Sequence, residues 1–387
     1  MTGHNKLDNV PAIKTDLLVH RNITNRETNM SYAKKLGMAV AATAFSAVMV
    51  AGTASADGHK RVKWKLHSAW GAAVPHLGTS GVRWAKNIGR MSGGKFTVKF
   101  FEPGALIPAN EGFDATSKGS IDAAWTTAGY DVGKYPALAF FTAVPFGPSM
   151  GEFFAWKKFG GGDKIQQRIY AKHGIQQMDC FAIGPETSGW FKNEIKELDQ
   201  LRGMKMRFFG LGARVMQKIG VSTQLLAGGD IFPALEKGVI DATEFSMPAM
   251  DIKYGFYQIA KNNYFPGWHQ QVSVSQLLMH KKKFDGLSDA NKALVEVGCG
   301  DAIHHTYAET EYVNPFAMVE MGEKYGVVTR RWRDDQLAVF EKAWNSVVEE
   351  DSKKDPVFKE VNESYAAFRK AYAKWGSAQA LASTYLK

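Results

Sequence analysis

Phe113-Asp-Ala-Thr-Ser-Lys118-Gly119-Ser-Ile121-Asp122-Ala123 returns in altered form further along the chain, as Phe232-Pro-Ala-Leu-Glu-Lys237-Gly238-Val-Ile240-Asp241-Ala242. In both copies a short run ends at Lys-Gly and restarts at Ile-Asp-Ala. Glycine there supplies the left-handed residue that closes a helix, and the β-branched isoleucine opens a strand. Each copy predicts a short helix and then a strand, over 112–118 and 121–127 in the first and over 231–237 and 240–245 in the second. One repetition at so long an interval points to two similar α/β lobes, because a solenoid needs a short period and several copies. Two lobes leave a cleft, and a cleft suits a small molecule.

The surrounding pattern agrees. Strands are expected at 62–68, 95–101, 175–183, 204–209 and 272–280, and helices at 78–91, 162–173 and 213–219, with a further apolar segment at 140–145. The run 175–183 is long enough to cross to the second lobe, and 272–280 can return to the first. Strands alternating with helices read as open α/β sheets. The expected fold class is therefore α/β, two-lobed, with a hinge and an inter-lobe cleft, plus C-terminal helices. Lobe one takes 57–182 and is completed by about 272–305, lobe two takes 183–271, and 306–387 forms a helical region. In that region Phe358, Val361, Tyr365, Phe368, Tyr372 and Trp375 recur at alternating intervals of three and four. Such a stripe either packs on its own lobe or meets a second subunit.

Residues 1–56 read as a start extension and a signal peptide. Met30-Ser-Tyr-Ala-Lys34-Lys35 is a basic start, 36–51 is apolar, and Ala54-Ser55-Ala56 is a small-x-small end. These are the parts of an export signal cleaved after about Ala56, and the apolar core falls short of the roughly 20 residues of a membrane span. The whole chain carries a net charge of +10. Its basic residues are interleaved with acids and never exceed the run Lys281-Lys282-Lys283, which argues against nucleic acid as a partner. Cys180 and Cys299 are the only cysteines. In an exported protein they permit one disulfide, but both lie in apolar contexts, and two buried thiols fit as well.

Catalytic signatures are missing. The sequence has no Gly-x-Ser-x-Gly elbow and no His-Glu-x-x-His site. Gly160-Gly161-Gly162-Asp163-Lys164 lacks the Gly-Lys-Ser/Thr of a phosphate loop, and Gly210-Leu-Gly212 lacks the third glycine of a dinucleotide fingerprint. His304 and His305 are adjacent, so on a helix they diverge and do not share a metal. In open α/β sheets ligands sit beyond the carboxyl ends of strands. That rule selects Thr126, Thr127 and Tyr130 in lobe one, and Glu244, Phe245 and Ser246 in lobe two. It also selects Arg207, whose planar guanidinium suits a bidentate grip on a carboxylate.

From Arg61 onward the chain resembles the solute-binding subunit of tripartite ATP-independent periplasmic (TRAP) transporters. It is most similar to the branch that binds 2-oxo acids such as pyruvate. The resemblance rests on Phe140-Phe-Thr-Ala-Val-Pro145-Phe-Gly147, Ser188-Gly-Trp190-Phe191, Ala227-Gly-Gly-Asp230-Ile-Phe-Pro-Ala-Leu-Glu-Lys-Gly238, Ala242-Thr-Glu244-Phe245 and Phe265-Pro-Gly-Trp268. It implies periplasmic location, closure over a small organic acid, handover to the permease membrane subunits, and dimerisation through a C-terminal helix. By that resemblance Arg207 pairs with the ligand carboxylate. Glu186, Glu244 and Phe245 surround a metal ion, calcium or sodium, and Thr127, Tyr130, Trp70 and Trp268 complete the binding set.

Two departures matter. The branch usually carries Trp in place of Phe245, which alters the pocket volume, and commonly Gln in place of Glu186, so this chain adds a negative charge beside the metal. Two readings remain beside the transport receptor: a secreted enzyme using Glu186 and Glu244 as acid and base, and a ligand sensor. No enzymatic activity is expected.

Overall fold

A computed structural model describes residues 58–379, so the start extension, the signal peptide and its cleavage point lie outside the described residues. The first run of elements is β1 (Val62–Ser68), α1 (Leu77–Met91), β2 (Phe96–Phe101), α2 (Gly112–Lys118), β3 (Ala123–Thr126), α3 (Met150–Phe159), α4 (Gly162–Ala171) and β4 (Ile175–Ile183). The chain then crosses into β5 (Gly189–Phe191), β6 (Lys205–Arg207), α5 (Gly210–Lys218), β7 (Ser222–Gln224), α6 (Gly228–Glu236), β8 (Ala242–Thr243), α7 (Pro248–Tyr254) and β9 (Asn262–Phe265). It returns through β10 (Ser273–His280), α8 (Lys281–Asp285) and α9 (Asp289–Glu323). It closes with β11 (Val328–Arg331), α10 (Asp334–Lys354) and α11 (Pro356–Gln379). No helix among the described residues is long and apolar enough to cross a membrane.

Two sheets carry the lobes. Their orders are β2-β1-β3-β10-β4 and, read from its other edge, β7-β6-β8-β5-β9-β11. In each, three parallel strands linked by helices are followed by one strand antiparallel to them and then by one antiparallel to that, so β1, β3, β10 and β4 correspond to β6, β8, β5 and β9. The repeated sequence marks the matching corners. Gly119 and Gly238 both have positive φ, 74° and 69°, which glycine adopts without the Cβ clash. The repeated aspartates do the same work in each lobe. Asp122 Oδ2 accepts from Lys65 N at 2.6 Å, and Asp241 Oδ2 accepts from Lys205 N at 2.9 Å. Each aspartate thus ties the entry of its own strand to the backbone of the neighbouring parallel one, at mid-strand in β1 and at the first residue of β6.

Where the expected elements shrink, turns take over. The 204–209 strand is only Lys205–Arg207, and the 240–245 strand only Ala242–Thr243. The apolar segment at 140–145 overlaps a 3-10 helix, Pro136–Phe141. Helix α9 runs unbroken through residues 305 and 306, and β11 adds a strand to the second sheet from within the C-terminal region. The aromatic stripe of α11 divides. Phe358, Val361 and Tyr365 are buried on their own chain, with Phe358 and Tyr365 at 4.8 and 5.7 Å from Phe140, whereas Trp375 is 60% exposed.

Cys180 on β4 and Cys299 on α9 form a disulfide. Burial of both sulfurs is therefore burial of a bridge, which the apolar context could not distinguish from burial of two thiols. The bridge closes a loop with a sequence separation of 119 residues and fixes the long helix to the strand that leaves the first lobe. Closing a loop of that length restricts the unfolded chain. Cys180→Ala/Cys299→Ala should lose roughly 2–5 kcal/mol of unfolding free energy. Urea titration of the double variant against the oxidised parent checks this, and coincident curves would contradict it.

Candidate functional site

The site forms where the chain changes sheets. One crossover leaves β4 through Gly184, Pro185 and Glu186, and the other leaves β9 through Pro266, Gly267, Trp268 and His269. They touch: Glu186 N donates to Gln270 O at 3.2 Å. A Cβ on Gly267 would stand 2.1 Å from Glu186 O, so the contact requires glycine there. This apposition sets Glu186 and His269 side by side at the mouth of both sheets. From the second sheet, β6 ends on Arg207 and β8 runs out into Glu244.

Arg207 and Glu244 form a buried ion pair. Arg207 is 1% exposed and Glu244 0%. Arg207 Nη1 donates to Glu244 Oε2 at 3.0 Å and to the Glu244 backbone carbonyl at 2.5 Å, and Nε donates to Leu226 O at 3.3 Å. Phe209 N donates to the same Oε2 at 3.0 Å. The guanidinium lies over the rings of Phe245 and Phe209, 5.2 and 5.9 Å from their centroids. Nη2 makes no hydrogen bond to a described residue, and Arg207 lines the cavity.

Glu186 faces this pair. Its Oε1 accepts from Ser246 Oγ at 2.7 Å, and Ser246 N in turn donates to Asp251 Oδ1 at 3.1 Å. Trp190 Nε1 donates to Asp251 Oδ2 at 2.6 Å. His269 Nε2 stands 3.4 Å from Glu244 Oε1 and 3.8 Å from Glu186 Oε2. Those three atoms have no hydrogen-bond partner although all are buried. Glu186, Glu244 and His269 together offer ligand atoms within 4.8 Å of one another, so they fit a cation held by two carboxylates, with the imidazole beside them.

Burial and neighbours shift these groups in opposite directions. Burial pushes the Glu186 carboxyl up to about 7, against the pull of the nearby His269 imidazole. Burial would raise Glu244 too, but the Arg207 charge and His269 hold it below the usual carboxylate range. Burial would lower His269, and the two glutamates outweigh it, bringing the imidazole to about 9. Asp251 is pushed well above its ordinary value by burial.

The cavity in front of the cluster is small, about 30 Å³, by that measure room for roughly two waters. Trp70, Leu77, Tyr130, Ile183, Phe209 and Phe245 give it apolar walls, and Trp70 Nε1 donates to Tyr130 OH at 3.1 Å. Thr127 also lines it, with its hydroxyl 2.8 Å from that of Thr142, which is 2.9 Å from Ser273.

Residues 68–355 match the family described as bacterial extracellular solute-binding protein, family 7. The chain belongs to this family. It is 32% identical over 340 residues to the monocarboxylate 2-oxoacid-binding periplasmic protein of a Nostoc species, covering 87% of this chain and 93% of that one. Three solved TRAP solute-binding proteins share its fold. The Bordetella bronchiseptica protein, a dimer with calcium and picolinate in one site, aligns with TM-score 0.80 at 30% identity over 83% of this chain and 95% of that one. The Pseudoalteromonas atlantica protein, with sodium and pyruvate, gives 0.80 at 26% identity over 83% and 97%. The Colwellia psychrerythraea protein, with calcium and pyruvate, gives 0.79 at 28% identity over 83% and 98%. Family 7 proteins are periplasmic receptors that serve a TRAP permease, so the acid–base enzyme reading of Glu186 and Glu244 falls.

Two sequence expectations about the site change. Trp268 does not line the cavity; it is 2% exposed and packs against Phe340, Phe146 and Phe208 at 4.8, 5.8 and 5.9 Å. Glu244 does not line the cavity; it sits behind Arg207, which does line it and spends Nη1 on Glu244. Sequence reading missed His269. Its signal was adjacency to the Phe265-Pro-Gly-Trp268 motif, which gave no reason to prefer it over its neighbours.

Without metal or acid, the raised His269 contributes stability present below about pH 6.5 and lost as pH rises through about 9. Glu186, an acid whose value is raised to about 7, loses stability in the same direction as pH rises. The urea midpoint of stripped protein should therefore fall between about pH 5.5 and 9.5, and His269→Gln should flatten the alkaline part of the fall. A midpoint that stays level or rises over this range would contradict the assignment.

Proposed function

We propose that this receptor captures a small 2-oxo or 2-hydroxy monocarboxylic acid together with a divalent cation, calcium in the first instance, and presents it to its permease. The observation that carries the reading is the convergence of Arg207 and Glu186 on one cavity, with Glu244 paired to Arg207 and offering a ligand atom within 4.8 Å of those of Glu186 and His269. Arg207 Nη2 would take the acid's carboxylate. The ion would be held by Glu186 Oε2 and Glu244 Oε1, with the Phe245 carbonyl and ligand oxygens completing its shell. The relatives named for 2-oxo acids, and those holding pyruvate or picolinate beside calcium or sodium, support the same chemistry.

Charge favours calcium over sodium. With an ion bound beside it, His269 would be neutral, and Glu186 and Glu244 ionised against Arg207 then leave one excess negative charge, to which a monocarboxylate adds a second. A divalent ion would balance both in this buried site, whereas sodium would leave one uncompensated. The apolar walls of the cavity suit an acid with a short apolar tail. Export by a signal peptide cleaved after about Ala56 fits a family that works in the periplasm.

Calorimetry tests the reading. Chelator-treated protein should lose most of its affinity for pyruvate and recover it with calcium far better than with sodium. Arg207→Ala should cost roughly 2–5 kcal/mol of binding, the range for truncating one partner of a buried charge pair. Binding unaffected by chelator would remove the ion, and unchanged affinity in Arg207→Ala would remove the clamp.

The receptor is also proposed to form a homodimer through the exposed end of α11. The inner part of the stripe belongs to its own core, against which half-buried Phe368 also packs, so the contact is reduced to Trp375 and half-buried Tyr372 with Phe159, which is 92% exposed. Tyr372→Ser/Trp375→Ser should shift light scattering from dimer to monomer with acid binding intact. A parent that is monomeric at micromolar concentration ends the proposal.

A further inference from the structure

His76 is buried, 1% exposed, and holds a backbone conformation few side chains adopt, φ 65° and ψ −57°. Leu77 N donates to Pro75 O at 2.7 Å across it, which makes His76 the centre of a γ-turn of the rare, positive-φ kind. A non-glycine residue stays in such a place only when its surroundings over-determine it, and such residues cluster at functional sites.

The surroundings are identifiable. His76 Nε2 donates to Ala182 O at 2.7 Å, and Nδ1 lies 3.1 Å from Glu309 Oε2. Ala182 is the penultimate residue of β4, and the chain leaves for the second lobe immediately beyond it. Glu309 belongs to a row on α9 that grips the same strand end: Ala182 N donates to Thr306 Oγ1 at 2.9 Å, and Gly184 N to Thr310 Oγ1 at 3.2 Å. One turn further, Asn314 Oδ1 accepts from Ala249 N in the second lobe at 3.1 Å. The imidazole therefore joins three elements at the point where the lobes separate.

It also stands at the end of the loop that supplies two cavity walls. Trp70 and Leu77 bracket this loop and both line the cavity. Trp70 is set at its other end by Ser68 Oγ, which accepts from Trp70 N at 3.1 Å and donates to Trp70 O at 2.7 Å. The ring of His76 fastens the remaining end to β4 and α9, while Trp125 Nε1 donates to Leu77 O at 2.9 Å from β3.

We infer that His76 is a positioning residue for acid binding: by bridging Ala182 and Glu309 it holds the 69–77 loop, and with it Trp70 and Leu77, against the hinge end of the cleft. The inference rests on the ligand reading given above. Loss of the bridge would let the loop relax out of its strained turn, and the walls would then close on the acid less often and release it faster.

His76→Asn separates the ring from the backbone, because asparagine tolerates positive φ but is too short to reach both partners. In ligand-free protein, hydrogen exchange of the amides of residues 70–74 and 76–78 should rise at least about tenfold. Pyruvate should bind at least about tenfold more weakly, chiefly through faster dissociation in stopped-flow tryptophan fluorescence. Glu309→Ala should act in the same direction, and the double variant should add less than the two singles combined. His76→Gln, long enough to donate to Ala182 O, should recover part of both effects, and it serves with Glu309→Ala if His76→Asn does not fold. Unchanged exchange in the loop, or affinity within twofold of the parent, overturns the inference. If the parent binds no 2-oxo acid, the reading of the cleft fails, and the exchange result still decides the role of His76.

Discussion

The buried pair of Arg207 and Glu244 is the constraint on which the cleft depends. Both side chains are almost entirely out of water, and a charge in that position is tolerated only with a partner and with its remaining hydrogen-bonding atoms used. Glu244 Oε2 is satisfied twice, by Arg207 and by Phe209 N, while its Oε1 points toward Glu186 and His269 without a bond. The pair is thus complete on the side facing the second lobe and incomplete on the side facing the cavity. In the proposed reading an anion reaching Arg207 and a cation reaching the two carboxylates would supply what is missing, and neither would do so alone.

The repeated topology explains why these groups meet. Each sheet presents the ends of its central parallel strands toward the other, and the crossovers at Glu186 and His269 pass between them. Arg207 and Glu244 come from corresponding parallel strands of the second sheet, and Thr127 and Tyr130 follow β3, the counterpart of β8, in the first. In the proposed reading, binding is a contact between lobes, so the ion and the acid would act on the hinge as well as on each other. The disulfide and the polar row on α9 hold the first lobe's side of that hinge in one arrangement.

Much of this was legible in the sequence, and the reasons can be given residue by residue. The Lys-Gly and Ile-Asp-Ala pattern encoded a left-handed glycine and an aspartate that ties its strand to the backbone of the neighbouring parallel one, local demands that any copy of the unit must meet. Arg207, Glu244 and Tyr130 followed from a rule about strand ends. Trp268 was misplaced because a motif marks where the backbone must go, and here it marked the close approach at Gly267 rather than a binding side chain. His269 and His76 escaped because their partners come from segments far away in the chain. The pairing of Cys180 with Cys299 escaped for the same reason, since composition alone cannot tell a bridge from two buried thiols.

If the acid and the ion complete one charge arrangement, each must strengthen the other by the same factor, because linkage between two sites is reciprocal. The direct measurement is the calcium affinity of stripped protein, by calorimetry, with and without saturating pyruvate, alongside the pyruvate affinity with and without saturating calcium. Both ratios should agree and reach at least about tenfold, within the usual range of coupling between sites. A calcium affinity that pyruvate leaves unchanged would contradict the account.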